Sequence, residues 1–125
     1  DPQQAAKEYE EELKKEFGGE DKIVFDLILL GMGPDGHTAS LFPGTDAVND
    51  TKSLVISHFV PQVNMNRITL GRKVLNNADD VMFVLSDKSK MDVYDLVKHA
   101  PYFPSILPSQ VIKPVHGFLT WNVFL

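Results

Sequence analysis

The stretch that most constrains this chain is a wholly apolar run, Leu27-Ile28-Leu29-Leu30, that ends abruptly in Gly31-Met32-Gly33-Pro34-Asp35-Gly36-His37. A run without polar alternation reads as a strand of a parallel sheet covered on both faces. In such sheets, ligands and chemistry collect just past the strand ends. Here that position holds three glycines in six residues, then an Asp and a His two positions apart. The expected order is strand, glycine turn and short helix, with the helix beginning near His37 and stopped by Pro43-Gly44 after at most about two turns.

The flanking segments repeat the alternation. Asp1-Pro2 suits a helix start, through a side-chain cap and a proline in the first turn. Ala5, Ala6, Tyr9, Leu13 and Phe17 form its apolar stripe, and Gly18-Gly19 supplies its stop. Further strands are expected over Leu54 to Ser57, Arg67 to Leu70 and Val81 to Leu85, with a loop from Pro61 to Asn66. A helical stripe is expected at Val74, Leu75 and Ala78, and a helix carrying Met91, Tyr94 and Val97 on one side. Pro101, Pro104 and Pro108 make the following segment irregular. Leu119, Trp121, Val123 and Leu125 alternate as a closing strand, which places Trp121 in the core. The expectation is a single α/β domain over residues 1–125, with a mostly parallel sheet and helices on both faces, a Rossmann-like three-layer sandwich.

Composition narrows the function. With 43% hydrophobic and 23% charged residues, the 125-residue chain has the make-up of a globular domain. Its net charge of −5 argues against nucleic acid or an anionic membrane as the main partner. The absence of cysteine excludes a disulfide framework and a thiolate metal site. His37, His58, His99 and His116 form no close pair at ligand spacing, so neither a metal nor another cofactor is expected. A cytoplasmic location is expected, because no apolar run approaches the ~20 residues of a membrane helix and the start does not resemble a signal peptide.

The glycine turn can carry chemistry. Gly31, Gly33 and Gly36 permit positive φ and close backbone approach, so amides at the start of a following helix could face an anion or a developing oxyanion. The same pattern is also that of an ordinary structural turn. It is no dinucleotide loop, since Pro34 interrupts it and the acidic residue expected about twenty positions on is missing. At a helix start His37 would stay neutral, as a general base must, although a lone His can equally pack or cap. Asp35 within Pro-Asp-Gly is ordinary turn chemistry as well. Arg67 and Lys90, near element ends, each suit a phosphate or a plain surface ion pair.

Residues Phe25 to Gly44 resemble the signature of the 6-phosphogluconolactonase family, and the match continues in order. Arg67-Ile68-Thr69-Leu70 with Val74-Leu75-Asn76, Lys90, Pro114-Val115-His116-Gly117 and Leu119-Thr120-Trp121 are similar to later blocks of that family. The resemblance implies metal-free hydrolysis of 6-phosphoglucono-δ-lactone to 6-phosphogluconate in the pentose phosphate pathway. His37 would be the general base, with Asp35 orienting the site or holding a sugar hydroxyl, and Gly31, Gly33 and Gly36 shaping the substrate side. Arg67 and Lys90 would hold the 6-phosphate. The partner so implied is a small phosphosugar lactone, with a possible fusion to glucose-6-phosphate dehydrogenase, as some relatives have. Three departures stand out: Asp87 where the family carries glycine, Gly71-Arg72-Lys73 in place of Thr-Leu-Pro, and no counterpart of the family's first half. The chain is therefore expected to be the C-terminal portion of a lactonase domain, incomplete at its N-terminus. Two alternatives stay open: an enzyme like the related glucosamine-6-phosphate deaminase, and a phosphosugar-binding module without turnover.

Overall fold

The computed structural model describes residues 1–124. Helix α1, Pro2–Phe17, begins where the Asp1 carboxylate accepts from the Gln3 amide at 3.1 Å. It ends at Gly18, whose amide donates to the Lys14 carbonyl and whose left-handed φ of 87° turns the Gly19 amide onto that same carbonyl at 2.8 Å, a close that a Cβ would penalise. Of the expected apolar stripe, Ala6 and Leu13 are buried and Phe17 is half-buried, whereas Ala5 and Tyr9 face solvent. The buried side of α1 is thus narrower than the spacing suggested.

Two separate sheets follow. Strands β1 (Ile28–Leu30), β4 (Asp80–Leu85) and β5 (Phe118–Val123) form a parallel three-stranded sheet in the order β1-β4-β5. Strands β2 (Val55–Val60) and β3 (Met65–Leu70) form an antiparallel hairpin instead of joining the parallel sheet. The turn between them runs through Pro61 to Asn64, and Asn64 takes a left-handed φ of 48°. A connection this short permits only antiparallel pairing, because a parallel return needs a crossover of a dozen or more residues. The fold is therefore α/β with one parallel and one antiparallel sheet.

Helix α2, Arg72–Leu75, is a single turn, followed by β4 and then α3, Met91–His99. Asn76 and Asn77 end α2 by turning to other partners. Asn76 donates to the Val111 carbonyl at 2.8 Å and accepts from the Lys113 amide at 2.7 Å, and Asn77 donates to the Ile23 carbonyl at 2.9 Å. Gly71, just before α2, sits so close to the Ser53 carbonyl that a Cβ would lie 2.3 Å from it. This packing gives the glycine at position 71 a physical reason.

One core lies on a single face of the parallel sheet. It joins Ile28, Leu30, Val81, Phe83 and Leu85 to Val93 and Val97 of α3 and to Leu107, Val111 and Ile112. The proline-rich segment, irregular as expected, supplies those last three core residues and a buried turn over Pro108–Val111. Trp121 lies parallel to Phe83 with ring centroids 3.9 Å apart. A second, smaller core packs Ala6 and Leu13 of α1 on Leu54, Val55 and Val74. On the opposite face of the parallel sheet Leu29 is 62% exposed and Phe118 is 76% exposed, and Leu27 and Val84 are exposed too. The sheet is covered on one face among the described residues, not on both. Leu125, expected to end the closing strand, lies outside the described residues.

This asymmetry sets the expected cost of truncation. In a urea titration, Phe83→Ala is expected to remove about 3–5 kcal/mol, the usual loss for a buried ring. Leu29→Ala, on the open face, is expected to stay within about 0.5 kcal/mol of wild type.

Candidate active site

The segment after β1 is a pair of linked tight turns, and the expected helix at His37 does not form. In the first turn the Gly36 amide donates to the Gly33 carbonyl at 2.9 Å, with Pro34 and Asp35 between them. Proline suits the second position of such a turn and glycine its last. Only Gly36, of the three glycines, has a positive φ, at 86°. In the second turn the Leu41 amide donates to the Thr38 carbonyl at 2.9 Å. Ala39 carries it with φ at 50°, in the left-handed region. The Thr38 hydroxyl donates back to the Gly31 carbonyl at 2.8 Å and ties the two turns to the strand end.

This geometry changes how the glycines work. The Gly33 amide donates to the His37 carbonyl and the Gly36 amide to the Gly33 carbonyl, both at 2.9 Å. The His37 amide donates to the Asp35 carboxylate at 3.1 Å. These three amides are consumed inside the turn, so they are not the anion-facing donors that a helix start would have offered. With no helix, the dipole argument for a neutral His37 lapses also. Gly33 matters for another reason: a Cβ on it would lie 2.2 Å from Cε1 and 2.3 Å from Nδ1 of His37. The imidazole occupies the space that glycine leaves. Gly31 is exposed, and nothing lies within 4 Å of where its Cβ would be.

His37 Nδ1 and Asp35 Oδ1 are 2.6 Å apart, and the same carboxylate oxygen receives the His37 amide. An ionised carboxylate only accepts, so Nδ1 carries the proton, and in the neutral ring the lone pair is then on Nε2. Asp35 is both a turn residue and the orienter of His37. The imidazole side chain is 29% exposed, open to a ligand on one side. On the other it stacks on the buried Phe42 ring at 4.1 Å between centroids. The Arg67 guanidinium carbon lies 5.9 Å from the centroid of that same ring. A cation over an aromatic face is attracted by the ring quadrupole. Phe42 is thus a shared neighbour of His37 and Arg67, thirty positions apart in sequence. Arg67 is half-buried, and its Nε is buried with no hydrogen-bond partner among the described residues.

The whole turn is anchored from both sides. The Gly36 carbonyl accepts from the Ser109 amide at 3.0 Å and from its hydroxyl at 2.8 Å, and Val93 and Leu107 flank Gly36. Lys90 stands one turn before Val93, at the entry of α3. Among the described residues no hydrogen bond or ion pair joins it to His37, Asp35 or Arg67. Asp87 caps the short turn Lys88–Lys90 by accepting from the Ser89 amide at 2.9 Å. Hydrogen bonds from the Ser89 amide and hydroxyl, and then the Lys90 charge, hold its carboxyl below the ordinary carboxylate range.

The roles of Phe42, His58, Thr69 and Ser109 were not legible from sequence. Phe42 sits within the signature, but nothing in the sequence sets its ring against His37. Pairing of His58 with Arg67 across the hairpin could have been signalled only by the register of two short runs about a turn.

Two expected outcomes follow from this geometry. Gly33→Ala must displace His37, so the low-field Nδ1 proton resonance of the His37–Asp35 pair is expected to vanish from the NMR spectrum while the global fold persists. Because the folded Asp87 carboxyl has a depressed pKa, the stability it adds is present above its unfolded value of about 3.9 and is lost as pH falls through the lower folded value. Asp87→Asn, which caps without titrating, is expected to flatten that acid limb in melts taken between about pH 5 and pH 2.

The chain is similar to known proteins over nearly its whole length. The family model for glucosamine-6-phosphate isomerases/6-phosphogluconolactonase matches residues 1–121. The rat 6-phosphogluconolactonase is 37% identical over 118 residues, covering 94% of this chain and 45% of that protein. A human GDH/6PGL endoplasmic bifunctional protein is 36% identical over 97 residues, which are 78% of this chain and 12% of that one. Among solved structures, the 6-phosphogluconolactonase of Trypanosoma brucei superposes with a TM-score of 0.82 at 26% identity, over 98% of this chain and 51% of its own. The chain thus spans a little under half the length of the rat relative. With a two-turn site after β1 and a matching family model over nearly its whole length, the chain belongs to the glucosamine-6-phosphate isomerase/6-phosphogluconolactonase family.

Proposed function

We propose that the protein carrying this chain hydrolyses 6-phosphoglucono-δ-lactone to 6-phosphogluconate in the pentose phosphate pathway, with His37 as general base. The observation that carries the reading is the 2.6 Å contact of Asp35 with His37 Nδ1, which leaves Nε2 as a base at the mouth of the sheet. Its placement within a family that includes lactonases more than 30% identical to this chain supplies the substrate class. In this reaction Nε2 takes a proton from water as the water oxygen bonds to the lactone carbonyl carbon. Asp35 stabilises the imidazolium that forms. Collapse of the tetrahedral intermediate breaks the ring carbon–oxygen bond, and the imidazolium returns its proton to the departing ring oxygen. Arg67, half-buried beside the Phe42 ring on which His37 stacks, suits the 6-phosphate by charge and fork geometry. Lys90 is a second candidate for that anion.

The same reading includes the finer fold and the partner. The open face at Leu29, Val84 and Phe118, together with coverage of about half of the solved relatives, supports a C-terminal portion of a larger domain whose remainder supplies the third layer. The match to the bifunctional protein supports fusion to, or association with, glucose-6-phosphate dehydrogenase.

The test is lactone hydrolysis by the full-length protein, followed as acid release above the spontaneous rate. His37→Ala is expected to lower kcat by about 10²–10⁴-fold, the usual contribution of a positioned general base. Asp35→Asn should lower it in the same direction, and Arg67→Leu should raise KM for the phosphorylated lactone far more than it lowers kcat. Undiminished turnover in His37→Ala overturns the mechanism, and release of ammonia from glucosamine 6-phosphate moves the protein to the other branch of its family.

A further inference from the structure

The turn that follows His37 is built on a residue ill suited to it. Ala39 has φ at 50°, a left-handed conformation that costs any residue with a Cβ. Such strain persists only where the surroundings over-determine the backbone. The surroundings here are side chains of the β2–β3 hairpin, which take up both backbone polar groups of the next residue. The Ser40 amide donates to Thr69 Oγ1 at 3.1 Å. The Ser40 carbonyl accepts from His58 Nε2 at 2.8 Å. Thr69 is itself buried, and its hydroxyl donates onward to the Leu70 carbonyl at 2.9 Å. A third hairpin side chain, Gln62, donates to the Pro43 carbonyl at 2.7 Å. Between these holds lies Phe42, the ring on which His37 stacks.

We infer that His58 and Thr69 are positioning residues: by gripping Ser40 they hold the left-handed Ala39 turn, and so seat the Phe42 ring that fixes the imidazole plane of His37. The inference rests on the catalytic reading of His37 but concerns a different set of residues. His58 lies opposite Arg67 in the hairpin register, so one pair of strands sets both the phosphate candidate and the base. A displacement of about 1 Å at a reacting group can cost on the order of 10²-fold in rate, which makes such a clamp consequential without any contact to substrate.

The test uses the full-length protein with His58→Leu, His58→Gln and the double variant His58→Leu/Ala39→Gly. His58→Leu removes the hydrogen bond to Ser40 and is expected to lower kcat by about 10–100-fold with KM nearly unchanged. It should also broaden or shift the His37 Nδ1 proton resonance. His58→Gln, which can still donate to the Ser40 carbonyl, should restore most of both. Ala39→Gly makes the left-handed turn intrinsically favourable, so it should partly rescue His58→Leu in activity, in the resonance and in soluble yield if the single variant folds poorly. The clamp is overturned if His58→Leu leaves kcat and the His37 resonance at wild-type values, or if neither glutamine nor Ala39→Gly restores what leucine removes. Should the wild-type protein hydrolyse no lactone, the functional reading fails by itself, and the His37 resonance across the same variants still decides the clamp.

Discussion

The hydrogen bond between Asp35 and His37 depends on an absence: at 2.6 Å it fits only because no Cβ occupies position 33. That single steric allowance places the imidazole over the turn, where Asp35 can receive both the ring and the backbone amide of His37 with one oxygen. The carboxylate then dictates which ring nitrogen is left to act as base. Everything else near the site keeps this geometry in place. Ser109 holds the Gly36 carbonyl from below, the hairpin holds Ser40 from the side, and β1 delivers the turn to the end of the sheet.

The two sheets divide the labour. The parallel sheet carries Phe83 at its centre, wholly buried and stacked on Trp121, and gives the site a rigid floor. The antiparallel hairpin carries the polar groups that finish the site: Arg67 over the Phe42 ring, and His58 and Thr69 on Ser40. A hairpin presents alternate side chains on one face at fixed register, so His58 opposite Arg67 is a consequence of pairing, not of either residue alone. The buried turn at Pro108–Val111, with Leu107 just before it, ties the Gly36 turn to the core of the parallel sheet.

Much of the architecture was legible because its causes are local. Asp1 and Pro2 mark the start of α1 and Gly18 marks its end through capping and φ preference. The apolar runs at Leu27–Leu30 and Val81–Leu85 do lie in neighbouring parallel strands, Ile28–Leu30 and Asp80–Leu85. The misreadings share one cause: periodicity reports apolarity and not what lies opposite. Leu29 belongs to an apolar run yet faces outward, Tyr9 falls on a helical stripe yet is exposed, and Leu107, Val111 and Ile112 are core without belonging to any periodic element. The expected helix at His37 failed for a related reason. The glycine-proline pattern suits a tight turn as well as a helix start, and Ser40 is claimed by the hairpin, whose position no local rule reveals.

The sequence by itself determined the chemistry on offer: a glycine-permitted turn with Asp35 and His37 two residues apart after a buried-type strand, a chain without cysteine, and ordered motifs that resemble one family. Those follow from covalent spacing and side-chain type, which no folding step alters. Tertiary structure decided how that chemistry is arranged. It used the Gly33 and Gly36 amides inside the turn, chose Asp35 as the partner of His37 Nδ1, set His37 and Arg67 against the same Phe42 ring, and committed His58 and Thr69 to hydrogen bonds with the Ser40 backbone. Contacts between residues tens of positions apart depend on strand pairing and packing, and those are properties of the folded chain as a whole.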